Sequence, residues 1–150
     1  MNIAQKIVSA GFDISVLSDE AAVLYKTHTV GIKFDAEGEI AVGIEMVGKA
    51  SEQYQDAIRE TTVGAIKRSQ NKGQQIDGAT DVGANALFDL GESRNMRIAI
   101  AVTVGLPGFV DNGVPVKPTP ALLKQMYTKF PAWQEKVLAA LEADANFLAV

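Results

Sequence analysis

The spacing of the apolar residues changes abruptly around Gly48, and that change restricts the chain to folds in which a small sheet meets a helical body. Before it, Val30, Ile32 and Phe34 occur at every second position, as do Ile40, Val42, Ile44 and Met46. A period of two places each set on one face of a half-buried strand. Asp35 to Glu39 between them is polar, and Gly38 can take the positive φ of a tight turn, so the spacing predicts an antiparallel hairpin. A shorter alternation from Val23 to Tyr25 predicts a further strand. After the change, Ser51 is placed to cap a helix and Glu52 to favour its first turn. Tyr54, Ala57, Ile58, Thr61, Ala65 and Ile66 then recur at helical spacing to about Gln70.

Further along, the signals are mixed. Ile3, Ile7 and Val8 could share one face of a short helix stopped at Gly11. Asn71 to Ala79, rich in glycine and glutamine, reads as a mobile loop and an internal hinge. Val82 to Leu90 reads as helix. Met96 to Val104 alternates through Ile98, Ile100, Val102 and Val104, and periodicity alone makes it a strand. Leu106 to Pro118 reads as a glycine and proline loop, with a tight turn at Asp111, Asn112 and Gly113. Two helices follow: Thr119 caps the first, with Pro120 in its first turn and Leu122, Leu123, Met126 and Tyr127 on one face. Pro131 opens the second, with Trp133, Val137, Leu141 and Leu148 in line. At 150 residues the chain fits one domain, residues 1–150, β-rich over about 20–48 and helical over about 50–150.

Chemistry is sparse. Fourteen Lys and Arg against eighteen Asp and Glu give a net charge of −4, which disfavours binding to a phosphate backbone. The densest basic group, Lys67, Arg68 and Lys72, has Glu60 and Asp77 beside it. Without cysteine there are no disulfides, thiol nucleophiles or cysteine-ligated zinc, and the cytoplasm is the natural compartment. Met1 to Ser9 has no signal-peptide pattern, and the longest apolar run, Ile98 to Leu106, is too short to cross a membrane. Gly43 to Ala50 copies the glycine and lysine spacing of a P-loop, but Glu45 would repel phosphate and Ala50 stands where a Ser or Thr should hold magnesium. His28, the sole histidine, lies away from any serine motif. The carboxylate pairs Glu37 with Glu39 and Glu142 with Asp144 have the character of a turn and an exposed helix end. The expectation is a binding protein with no catalytic residue, metal site or cofactor. Its aromatic residues Tyr127, Phe130, Trp133 and Phe147 divide between core packing and partner contact.

The order of the C-terminal pieces resembles the ending of phage tail assembly chaperones. The matching run is Gly113, Val114, Pro115, Val116, Lys117, Pro118 and Thr119, a helix with Leu122 and Leu123, then Phe130-Pro131, Trp133 and Val137, and finally Asn146-Phe147-Leu148. Upstream, Gly48, Lys49, Ala50, Ser51 and Tyr54 resemble that family's start of a helix directly after a strand. The resemblance covers roughly residues 40 to 70 and 95 to 150, and residues 1 to 20 carry nothing that matches. It implies an α+β protein with an N-terminal β portion and a mainly helical remainder, so that Met96 to Val104 becomes helix. It further implies a protein of the host cell cytoplasm, absent from the finished virion, that keeps the apolar, helical tape measure protein soluble. Recruitment of the tail tube protein, in some cases through a frameshifted longer form, and self-association are implied as well. Leu122, Met126, Tyr127, Phe130, Trp133 and Phe147 are the candidate partner contacts. The alternative is a structural protein of the phage tail or head-tail connector.

Overall fold

The computed structural model describes residues 25–71 and 75–148 and the single positions 14 and 73. The expectations for Ile3, Ile7, Val8, Gly11 and Val23 fall outside these. The fold is α+β. Strands β1 (His28–Phe34) and β2 (Ile40–Met46) form the expected antiparallel hairpin, with Val30 opposite Ile44 and His28 opposite Met46. Its turn is braced by Asp35, whose Oδ1 accepts from the Glu37 and Glu39 N–H groups at 3.0 and 2.9 Å, and Gly38 has φ +83°. The expected single apolar face does not reach the tip. Register shifts on either side of Lys33 disrupt the alternation, leaving Phe34 60% and Ile40 43% exposed.

Helix α1 (Glu52–Gln70) starts as its sequence requires, with the Ser51 hydroxyl accepting from the Tyr54 N–H and donating to the Gly48 carbonyl. Ala57 is buried, Tyr54 and Ile58 pack against the core, and Ile66 near the far end is exposed. Thr80 caps helix α2 (Asp81–Val102), which merges the two segments expected around 82–90 and 96–104. The strand reading of Met96 to Val104 is overturned, and the helix that the resemblance implies is present through Val102, with Thr103 and Val104 in a strand instead. Helix persists through Val102 because Ile98, Ala99 and Val102 form a buried helical face; strand β3 (Thr103–Gly105) then begins because β2 offers a free ladder edge at Glu45 and Met46. The sheet order is β1-β2-β3.

The segment expected to be plain loop contains a second hairpin, β4 (Val110–Asp111) with β5 (Val114–Pro115). Asn112 and Gly113 both have positive φ, 50° and 80°, the pattern of a primed two-residue turn. Thr119 and Pro120 open helix α3 (Pro120–Lys129) as expected, the Thr119 hydroxyl accepting from the Leu122 N–H. Pro131 disfavours helical backbone at Phe130, so α3 ends there and helix α4 (Pro131–Leu141) begins. Leu148 is not on α4, contrary to expectation. The chain leaves α4 after Leu141 and makes a single 3₁₀ turn, Asp144–Phe147. The Phe147 carbonyl then accepts from the Lys26 N–H at 2.9 Å, and Leu148 bridges to Tyr25. Val30, Ile44 and Met46 from the sheet join Ile98 and Val102 of α2, Leu123 and Tyr127 of α3, Val137 and Leu141 of α4, and Phe147 in one core cluster.

Candidate partner-binding groove

The β4-β5 hairpin and α3 enclose an apolar groove of about 430 Å³ that ends at the start of α4. Phe109 and Val116 line one side, Leu122 and Met126 the other, and Phe130 and Trp133 close the end. Each wall has a local cause. The primed turn at Asn112-Gly113 folds the hairpin back so that the Val116 N–H donates to the Phe109 carbonyl at 3.1 Å. The Thr119 cap and Pro120 fix where α3 starts, and so which side chains its groove face presents. The break at Phe130-Pro131 stacks the Phe130 ring on Trp133, with centroids 4.1 Å apart and planes at 15°. Phe109 meets Trp133 edge-on at 5.7 Å, completing a three-ring end wall. The Lys129 ammonium lies 6.0 Å from the Phe130 centroid and supplies a charge at the rim.

Of the six candidate contacts, Leu122, Met126, Phe130 and Trp133 come together in this groove, and Phe130 is 41% exposed. Tyr127 and Phe147 do not line it; they are 1% and 5% exposed and belong to the core. Met126, 8% exposed, serves both core and groove floor. Sequence reasoning missed Phe109, Val110 and Val116. The Asn112-Gly113 pair between Val110 and Val114 was the signal that could have found them, since it marks a hairpin and brings its flanks together.

The other sequence candidates take structural positions. Ile44 to Met46 continue strand β2, and Gly48 lies against the Phe147 ring, where an added Cβ would approach to 2.7 Å. Lys49 pairs with Glu142 at 2.7 Å, and that hydrogen bond is the largest influence holding its ammonium above the usual lysine range. His28 sits edge-on to Phe147 at 5.9 Å; burial first, then the charge of Lys26, lowers its pKa. A larger hollow, about 550 Å³, adjoins Lys49 and Phe147, with the Lys49 charge already matched by Glu142. Among the described residues there is no group of three or more carboxylate or imidazole side chains placed to hold a metal ion, and no helix is long and apolar enough to cross a membrane. Comparisons with protein-family models, with curated proteins and with solved structures find no match to this chain.

Proposed function

We propose that this chain is a phage tail assembly chaperone whose aromatic groove takes an apolar helical segment of the tape measure protein. The observation that carries the proposal is the groove itself: Leu122, Phe130 and Trp133 form an open apolar surface on a chain of net charge −4. A long helix striped with apolar residues aggregates in water, and an acidic protein that seats the stripe in a groove replaces apolar surface with charged surface. Helix-in-groove docking requires an apolar trough with anchor pockets at helical intervals, and the α3 face provides Leu122 and Met126 one turn apart. Many copies along one rod would add weak contacts into strong retention. In this reading the protein acts in the host cytoplasm, has no catalytic centre and is left out of the finished virion; tail tube subunits are recruited after it, through a longer form where one is made.

The test is co-expression with the tape measure protein of the same genome. The wild-type chain is expected to bring that protein into the soluble fraction as a complex, and Phe130→Asp to reduce its recovery about tenfold while remaining folded, since Phe130 is a groove residue outside the buried core. If the tape measure protein stays insoluble beside a well-folded wild-type chain, the proposal fails. A virion structural role would then be tested by looking for the chain in purified particles.

A further inference from the structure

Helices α1 and α2 form a second groove, of about 420 Å³, whose chemistry is the opposite of the chain's overall charge. Arg68 of α1 and Arg94 and Arg97 of α2 line it against the single carboxylate of Glu60. Among the described residues, none of these three guanidinium groups holds a carboxylate within ion-pair distance. The floor is low because Gly91, in the middle of α2, has no side chain, and a Cβ added there would meet nothing within 4 Å. Glycine inside a helix is destabilising relative to alanine, and no neighbour in the folded chain requires it at this position. Close approach by another molecule would account for it. Leu87 and Phe88 on the same stretch of α2 are 49% and 67% exposed.

The complement is present on the same molecule. The β1-β2 turn carries Asp35, Glu37 and Glu39 around the slim residues Ala36 and Gly38, and the two Asp35 hydrogen bonds hold it in one shape. Phe34 and Ile40 stand exposed at its base. It therefore offers an acidic tip on an apolar collar to a groove with basic walls and exposed apolar residues beside it. We propose that the α1-α2 groove of one copy receives the β1-β2 turn of a second copy. The two surfaces are different parts of the chain, so the contact is head-to-tail and repeats into a ring or an open spiral. Molecules of like net charge repel overall, and only this local match would overcome that repulsion, so the contact is sensitive to salt. Self-association is implied by the resemblance to tail assembly chaperones; what these two surfaces add is the place of the contact, which uses no residue of the aromatic groove.

Sedimentation velocity of the full chain across a range of concentrations provides the test, with no tape measure protein present. Wild type is expected to associate at low salt and to weaken about tenfold or more at high salt. The charge-reversed Arg94→Glu/Arg97→Glu and Glu37→Lys/Glu39→Lys proteins should each be monomeric, and mixing the two should restore association. Gly91→Leu should be at least as thermally stable as wild type yet fail to associate, which separates a blocked groove from a damaged fold. A wild type that stays monomeric at low salt, a reversed variant that associates like wild type, or a mixture that does not recover would each overturn the proposal.

Discussion

Tyr127 and Thr103 form a hydrogen-bonded pair in the core, 2.7 Å apart, and the proton positions follow from elimination. The Thr103 hydroxyl donates to the Ala99 carbonyl, also at 2.7 Å, so the Tyr127 phenol is the donor to Thr103. Burial pushes the Tyr127 pKa up from 10.0 to about 12. The native state keeps a proton that the unfolded chain releases above about pH 10, so this part of the stability is whole below that pH and falls as pH rises toward 12. The loss should approach roughly 2–3 kcal/mol, read from urea unfolding between pH 8 and 12. Tyr127→Phe should flatten that slope and cost about 1 kcal/mol at neutral pH. The sequence placed Tyr127 on the apolar face of α3; its burial was beyond reach, because Thr103 and Ala99, which satisfy its hydroxyl, come from another element.

Elements were legible where their causes are local. Ser51, Thr119, Pro120 and Pro131 act within a few residues, and the helix starts they mark are where the structure has them. Thr119→Ala should therefore destabilise the protein by about 1 kcal/mol, measured by chemical denaturation, by leaving the Leu122 N–H without its cap. Where the deciding partner is distant, local spacing failed. Ile98 to Val104 carries a strand-like alternation, yet the helix continues until β2 can supply hydrogen bonds to Thr103 and Gly105. Leu148 has the helical spacing to extend α4, but the chain turns away. The Asn146 amide donates to the Ala140 carbonyl at 3.1 Å, and Leu148 pairs instead with Tyr25. The β4-β5 hairpin was half legible: its turn residues were evident, while two-residue strands have no period to detect.

At the scale of the molecule, the two grooves are assembled differently, the first from the continuous stretch Leu106 to Trp133 and the second from two helices. The aromatic positions of the first could be read from helical spacing, but which side chains face outward depends on the core packing that buries Met126 and leaves Phe130 exposed. The second depends on arginines from two helices whose mutual orientation no local pattern encodes. The C-terminal end ties the whole together, since Phe147 packs under Gly48, beside His28, and its carbonyl holds the Lys26 N–H. Phe147→Ala should cost about 3–5 kcal/mol in urea unfolding, at the upper end of single-residue effects. A loss below about 1 kcal/mol would mean that the closure contributes little to stability.

The junction between α2 and β3 has a mechanical consequence. No residue intervenes between Val102 and Thr103, and the Val102 carbonyl accepts from the Val47 N–H at 2.9 Å just beyond the end of β2. The 22 residues of α2 make a shaft roughly 33 Å long. Helix and strand are continuous at its root, so a load on the arginine groove passes along α2 to the sheet that presents the acidic turn as well as to the helices packed against it.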